Sequence, residues 1–529
     1  MKSRISNSWY GSDIISMKDF CRADINVVND LALRIQKERK DRKAFYRKQL
    51  QGKVVGSLFL EDSTRTRISH RQAAYMVGAD WQDGIYGSEG SSVKKGESTK
   101  DCWRVFTGYD HEVTVMRHPL EGAARWAAEV SSKAVVNDRA HGIIRERMSI
   151  VNGGDGANQH PTQVFVDLFT ILNALGGIDK LNIGLVGDIK HSRVANSWFS
   201  IAAEIDAKLH LGYPQGFEPS QDVLDYLKND QGVEYATYHN IVDVLSNVDV
   251  AIILRPQLER MRPDEQAMFK GEWVVSRKLL EKNSKTIDLD KLVLMHPLPR
   301  NKNSLEITKD VDDMKCAWYF QQESFGPSVR AALFSLIAGS IGKRFSRIVQ
   351  PSIEEYSGTF VQKEFDSSQK DRKSYKVGRI DGNGVVIDRL PEGTAKKLVQ
   401  LLEITDVPEY TGSRLHSGKL GKKDLVKYDG LLELDEERLS IISLLAPEAT
   451  INYIRDGKLQ SKFRYELGRM IGNIAQCSNP SCITRPEHNE HTPSRFYVED
   501  KNNHVLRCYY CDKLTKPTEQ NPLVIKKAS

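Results

Sequence analysis

KVVGSLFLEDSTRTRISHRQAAYMVG, residues 53–78, decides the fold. Its first eight residues are a short apolar, β-branched run of the kind that forms a buried parallel strand. The strand ends at Leu60, and Ser63-Thr64-Arg65-Thr66-Arg67 opens a segment with amphipathic helical spacing. A helix N-terminus leaves backbone N–H groups unpaired at the positive end of its dipole, which suits a phosphate. Ser63, Thr64 and Thr66 add hydroxyl donors, and Arg65 adds a planar fork that can hold two oxyanion oxygens at once. Taken alone, the segment is equally a capped helix with two solvated arginines.

Outward from this unit the same alternation recurs from about 54 to 345. EVTVMR, MSIVNGG, LNIGLVGD, KLHLGYP, VDVAIILR and KLVLMHPLP read as further buried parallel strands. Helical patterns such as HPTQVFVDLFTILNALGG and GPSVRAALFSLIAGSIG lie between or after them. The pattern predicts an α/β fold with two parallel-sheet domains, 1–160 and 161–326. The helix after His160 bridges them, and a helix near 327–342 returns to brace the first sheet. Residues 345–376 are polar, charged and without periodicity, and read as a linker. A smaller α+β pattern fills 377–468. The last stretch, 469–529, is too rich in Asn, Pro, His and Cys to build much of a core alone.

Chemistry-bearing side chains gather just after the strands. GSEGSSVKKGES (87–98) is a Gly/Ser-rich loop with two lysines, suited to closing over an anion. Arg117 follows a strand in MRHPLEGAAR, and His160 and Gln163 start a helix in GDGANQHPTQ. Arg193 lies in GDIKHSRVANS, Arg255 and Gln257 in ILRPQLER, and Pro297 and Leu298 in LMHPLPRNKNSLEI. In open α/β sheets ligands bind outside the carboxyl ends of the strands, so these residues outline a basic crevice for a small polyanion.

The ordered series S-T-R-T-R, K-K-G-E, M-R-H-P, H-P-T-Q and H-P-L-P-R resembles the aspartate/ornithine carbamoyltransferase family across about 300 residues. The resemblance implies that Ser63, Thr64, Arg65 and Thr66 hold the phosphate of carbamoyl phosphate. Thr66, Arg117 and His160 face the carbonyl oxygen, and Gln163 with the backbone of Pro297 and Leu298 holds the carbamoyl NH2. Ser91 and Lys95, or Ser92 and Lys94, reach a neighbouring subunit's site. Arg193, Arg255 and Gln257 grip the two carboxylates of L-aspartate. Ornithine enzymes carry H-C-L-P at the last motif and lack an arginine at Arg255, where an ornithine ammonium would be repelled; aspartate is therefore the expected substrate. The implied reaction is the committed step of de novo pyrimidine synthesis. His70 departs from the family, which usually has phenylalanine there.

VVIDRLP, GKKDLVK, LLAPEATIN, CSNPSC and CYYC resemble the aspartate carbamoyltransferase regulatory chain. That resemblance implies a nucleotide-binding allosteric domain for effectors such as CTP, UTP or ATP, contacted by Asp388, Arg389, Lys427 and Lys462. Independently, Cys477-x4-Cys482 and Cys508-x2-Cys511, 25 residues apart, have the spacing of a structural four-cysteine zinc site with one Zn2+ per chain. Two disulfides or a redox switch are the alternatives. No organic cofactor is implied. The family builds catalytic trimers, two of which can be joined by regulatory dimers, so a homo-oligomer is expected.

Composition sets the remaining bounds. The 529 residues are too many for one core, and 40% hydrophobic with 28% charged residues describes an ordinary globular chain. No export signal or ~20-residue apolar run is visible, so the expected compartment is the cytoplasm, without a membrane partner. A net charge of +6 is small for this length and does not argue for nucleic acid. Two other classes stay open: an inactive transferase kept as a nucleotide sensor, and a fusion with a zinc-ribbon nucleic-acid module.

Overall fold

The computed structural model describes residues 4–6, 8–38, 40–87, 92–261, 263–268, 273–300, 306–349, 358–363, 380–417, 421–500, 503 and 505–515. The chain divides into two compact units, Met1–Pro351 and Ser352–Ser529.

The first unit contains two parallel sheets. One is built from β1 (Val54–Phe59), β2 (Asp80–Tyr86), β3 (Val113–His118) and β4 (Ser149–Asp155), in the spatial order β2-β1-β3-β4. The other uses β5 (Asn182–Gly187), β6 (Lys208–Gly212), β7 (Tyr235–Tyr238), β8 (Val250–Leu254) and β9 (Val293–Met295), in the order β9-β8-β5-β6-β7. In the first sheet the chain steps from β1 to one side and then returns to the other. The switch point therefore lies between β1 and β3. In the second it lies between β5 and β8. Each switch point opens a crevice at the carboxyl ends of the strands, where crossover loops part to opposite faces.

Four helices matter to the site. α1 (Thr64–Val77) buries Thr66, His70, Ala73, Ala74 and Val77 on one face, the i, i+4, i+7 spacing that packs a helix on a sheet. His70 occupies a core position of that face. Burial holds its imidazole well below the usual histidine range, with Arg330 adding to the shift, and its Nδ1 donates to the Thr66 carbonyl at 2.7 Å. A neutral histidine, bonded through Nδ1 and with its buried Nε2 unpartnered, thus fills the space expected of phenylalanine. α2 (Pro161–Leu175) is buried through its first eleven residues and packs against both β4 and β9, bridging the sheets. α3 (Arg193–Ile201) follows β5. α4 (Tyr319–Ile337) packs against α1 and α2. It starts earlier than the expected Pro327, which lies inside the helix. An internal proline removes one donor and crowds one preceding carbonyl, yet the helix continues through it, with Tyr319 and Gln322 already buried upstream.

The second unit holds a six-stranded antiparallel sheet. Its order is Thr359–Gln362, Lys458–Glu466, Thr450–Arg455, Gly384–Pro391, Gly421–Asp429, Glu409–Ser417. Helices Ala395–Leu402 and Glu436–Leu445 bury apolar side chains beside its core residues Val385, Ile387, Val426 and Ile451. A separate four-stranded sheet, Met470–Gly472 to Leu514–Thr515, follows. The stretch 345–376, expected to be a linker, contains two short strands. Arg347–Val349 pairs with Arg4–Ser6, and Thr359–Gln362 forms the edge of the six-stranded sheet. Both are three- or four-residue edge strands, too short for periodicity to register.

Gly187 closes β5 at the second switch point with φ +115°, and a Cβ there would lie 2.5 Å from the Leu254 carbonyl oxygen. Gly187→Ala should push β5 and β8 apart and destabilise the unit by more than ~1 kcal/mol. A thermal unfolding midpoint within a degree of wild type would contradict this packing.

Candidate functional site

The first turn of α1 carries no acidic residue, and Ser63 at its N-cap has extended backbone and does not spend its hydroxyl on capping. Thr64 and Arg65 are exposed, whereas Thr66 is buried, its methyl 3.3 Å from where a Cβ on Gly153 would sit. The anion-binding end of the helix is thus open, and its third hydroxyl is pressed toward the end of β4.

At that end the paired glycines Gly153-Gly154 allow close approach. Gly154 has φ +119°, and a Cβ on it would lie 2.7 Å from Arg193 Nη1 and 3.0 Å from Arg117 Nη1. One arginine comes from the end of β3 and the other from the start of α3. Arg117 also donates to the Gly153 carbonyl at 3.0 Å. Arg117, Arg193 and Arg260 all converge on Glu61, from the loop between β1 and α1. Arg117 lies 2.6 Å from its Oε1 and Arg260 3.5 Å, and Arg193 pairs with the same oxygen. Burial alone would raise the Glu61 carboxyl, but Arg193, Arg117 and Arg260 outweigh it and hold it at about 2. Burial, then the repulsion of Arg193, brings the Arg117 guanidinium down to about 9. Neither Glu61 nor Arg260 was singled out in the sequence, although both lie within the loops that flag the crevice.

His160 sits at the N-cap position of α2, is buried, and donates its backbone N–H to the Ser197 hydroxyl oxygen at 2.8 Å. Burial, followed by the fields of Arg117, Arg193 and Arg330, holds its imidazole far below the usual range. A neutral imidazole among guanidinium groups can donate one N–H to a developing oxyanion. It is not a reservoir of protons. The preceding loop is anchored by buried Asp155, which accepts from Asn152, Asn158 and the Gly122 and Gln159 backbones.

Across the second switch point, Arg255 Nη2 donates to Gln257 Oε1 at 3.0 Å, and Gln257 Nε2 returns to the Arg255 carbonyl at 3.1 Å. Fully buried Asp188, after β5, accepts from the Gln257 backbone at 2.9 Å and joins the two loops. Leu298 follows β9 with φ +35°, and the Leu298–Pro299 peptide is cis. Lys95 ends a short helical turn, Ser92–Lys95, and is exposed. Ser91 and the Lys94 side chain lie outside the described residues.

In the second unit the register places Lys427, Val386, Asn452 and Lys462 in one row across four neighbouring strands. Directly opposed residues share a face, as does Asp388 two positions along. This face is opposite to that of the core residues Val385, Ile387 and Val426. Asp388 accepts from Lys423, and Arg389 has φ +63° at a bulge in its strand. Burial lowers the affinity of Lys427 for its proton. The row thus sets two ammonium groups and an amide on one wall.

The four cysteines are buried, and their Sγ atoms all lie within 4.8 Å of one another. Cys477–Cys511 and Cys482–Cys508 are 3.6 and 3.7 Å apart. These separations exceed a disulfide bond of ~2.05 Å. They match the ~3.8 Å edge of a tetrahedron with sulfurs ~2.3 Å from a central ion.

Residues 12–173 match the carbamoyl-phosphate-binding domain of aspartate/ornithine carbamoyltransferases, and 179–337 match their Asp/Orn-binding domain. Residues 375–466 and 469–520 match the allosteric and metal-binding domains of the aspartate carbamoyltransferase regulatory chain. The aspartate carbamoyltransferase catalytic subunit of Pyrobaculum arsenaticum is 38% identical over 330 residues, 62% of this chain and 98% of that protein. That of Thermococcus kodakarensis is 38% identical over 336 residues, 63% and 99% of the two. The structure of Trypanosoma cruzi aspartate transcarbamoylase in complex with carbamoyl phosphate and aspartate superposes with a TM-score of 0.54 at 30% identity, covering 62% of this chain and 97% of that one. The chain belongs to the aspartate/ornithine carbamoyltransferase family. Within it, the chain is an aspartate carbamoyltransferase whose catalytic part is continued by a fused regulatory region. Among the described residues, no helix is long and apolar enough to cross a membrane.

Because Glu61 is held at about 2, below its usual 4.5, its pairing stabilises the fold fully above pH 4.5. That contribution fades as the pH falls toward 2. Glu61→Gln should therefore lower the thermal midpoint at neutral pH, and the difference from wild type should shrink steadily below pH 4.5. A difference independent of pH would show that the carboxylate charge is not what holds the three arginines.

Proposed function

We propose that the crevice transfers a carbamoyl group from carbamoyl phosphate to L-aspartate, with the two substrates divided between the two switch points. The observation that carries this is the convergence of Arg117 and Arg193 on the Gly153-Gly154 edge beside the open end of α1. Ser63, Thr64, Arg65 and Thr66 take the phosphate, with Lys95 and Ser91 supplied by a neighbouring subunit. Arg193, Arg255 and Gln257 take the two carboxylates. Gln163 and the carbonyls of Pro297 and Leu298 accept from the carbamoyl NH2.

The neutral aspartate amine attacks the carbamoyl carbon, a C–N bond forms, and the C–O bond to phosphate breaks. Negative charge gathers on the carbonyl oxygen, where Thr66, Arg117 and neutral His160 donate; each such donor is typically worth ~3 kcal/mol in the transition state. The departing phosphate is itself a base for the amine proton, so no side chain need act as one. Holding both anions in line supplies much of the remaining rate.

The second unit binds nucleotides on the wall formed by Asp388, Arg389, Lys427 and Lys462, with CTP, UTP or ATP as effectors. The cysteine cluster holds one Zn2+, which supplies folding energy and no catalytic step. Shared sites require an oligomer, built on catalytic trimers that regulatory dimers can join in pairs. None of the seven cysteines is in a disulfide, which suits a reducing cytoplasm.

Two experiments test this reading. Arg65→Ala and Lys95→Ala chains should each be nearly inactive in a carbamoyl-aspartate colour assay and should regain activity when dissociated, mixed and reassembled. No recovery despite demonstrated subunit exchange would mean that each site is made by one chain. Stripping the metal with a thiol-reactive mercurial should abolish the nucleotide response and leave basal catalysis intact. Loss of catalysis in step with zinc, with the catalytic oligomer intact, would make the metal catalytic.

A further inference from the structure

α2 is apolar and buried, yet it carries one carboxylate at its centre. Asp167 is fully buried and lies one turn beyond Gln163. Its Oδ1 accepts from Gln163 Nε2 at 3.0 Å and from Gln322 Nε2, reaching in from α4, at 2.7 Å. Its Oδ2 accepts from Trp198 Nε1 of α3 at 3.1 Å. Gln322 is also fully buried, and its Oε1 accepts the backbone N–H of His296 at 3.0 Å. His296 Nδ1 in turn accepts the backbone N–H of Leu298 at 2.8 Å. One carboxylate therefore stands behind both Gln163, on the bridging helix α2, and the Pro297-Leu298 backbone that follows β9.

The chemistry of the carboxylate settles which way each amide faces. A primary amide offers a carbonyl on one side and an NH2 on the other, and neighbours alone decide which is presented. An ionised carboxylate only accepts, so both glutamines must turn their NH2 groups to Asp167 and their oxygens away from it. Burial raises the Asp167 carboxyl to about 6, against the opposing pull of its three donors, so at pH 8 it is ionised. For Gln163 the result is an acceptor oxygen on the side away from Asp167. For Gln322 it is an acceptor that pins His296, and through it the Leu298 backbone.

We propose that Asp167 is a positioning residue that makes the site specific for the carbamoyl amino group, by orienting Gln163 directly and the Pro297-Leu298 backbone through Gln322 and His296. This rests on the assignment of those groups to the carbamoyl NH2. The NH2 brings two N–H donors and needs two acceptors, whereas the methyl group of acetyl phosphate, otherwise alike in shape, needs none. A site that presents two fixed oxygens distinguishes the two. A site whose glutamine is free to flip does not.

The test compares carbamoyl phosphate with acetyl phosphate at pH 8 in the full-length chain. The readouts are the KM for carbamoyl phosphate and the competitive inhibition constant of acetyl phosphate. Asp167→Asn keeps the shape but turns one acceptor into a donor. The indole of Trp198 cannot flip and the glutamines can, so the asparagine carbonyl should turn to Trp198 and its NH2 should force Gln163 over. The KM for carbamoyl phosphate should then rise by roughly tenfold or more, while the acetyl phosphate constant changes by less than about threefold. Adding Trp198→Phe to Asp167→Asn removes the competing donor, lets the asparagine carbonyl return to the glutamines, and should restore discrimination. Equal losses for both ligands, or no rescue in the double variant, would overturn the proposal. Gln163→Ala separates the two levels. If it loses discrimination while Asp167→Asn retains it, only the positioning role fails. If Gln163→Ala itself leaves discrimination unchanged, the assignment of the carbamoyl NH2 contacts fails. Should Asp167→Asn not fold, Gln322→Met breaks only the Leu298 arm and must show the same selective loss; parallel loss of both ligands there overturns the proposal equally.

Discussion

Three guanidinium groups cannot share a buried cleft unless an anion sits among them. Here Glu61 is that anion, and the placement of Arg117, Arg193 and Arg260 follows from it. The cost of desolvating these charges is offset only because they meet one carboxylate at short range, and because Gly153 and Gly154 present no Cβ to keep them apart. The groups come from both parallel sheets, so the interaction ties the ends of two domains to one point. In the proposed reaction the site is poised for exchange, since carbamoyl phosphate and aspartate together would offer the same arginines more negative charge than one glutamate can. Burial, and after it the field of the cluster, keeps His160 neutral and suited to donating a hydrogen bond rather than shuttling a proton.

Much of this arrangement was legible in the chain because α/β topology is strict about where ligands go. Arg117, Arg193 and Arg255 each follow an apolar run that could only be a strand, and the carboxyl ends of strands at a switch point form one crevice. Less legible were elements whose side chains face two environments. β2 (DWQDGIY) and β7 (YATY) are edge strands with polar, partly exposed residues, so neither periodicity nor hydrophobicity marks them. Thr359–Gln362 disappears into a charged stretch for the same reason. Pro327 suggested a helix start, while the helix was already under way, anchored by Tyr319 and Gln322.

The groups that reading from sequence missed are those whose role depends on partners distant in the chain. Glu61 looks like an ordinary loop carboxylate until Arg260, from the far domain, is seen beside it. Asp167 did leave a trace, a single charge within HPTQVFVDLFTILNAL, and a lone carboxylate in an apolar helix signals a buried partner. Naming that partner as Gln322 requires the packing of α4. The regulatory unit shows the same division. The four cysteines declare themselves by spacing, whereas the alignment of Lys427, Asn452 and Lys462 emerges only from strand register.

We propose that the arginine cluster and Arg255 together form one site for two joined anions, a phosphoryl group and the carboxylates of aspartate. A single molecule in which a phosphonate is joined by an amide to L-aspartate spans both halves. Calorimetric titration of the assembled protein with it is the most direct measurement. One tight equivalent per catalytic site is expected, displaced by carbamoyl phosphate, with binding sharply weakened in the Arg255→Ala variant. Tight binding that carbamoyl phosphate does not displace, or that survives loss of Arg255 unchanged, would contradict it.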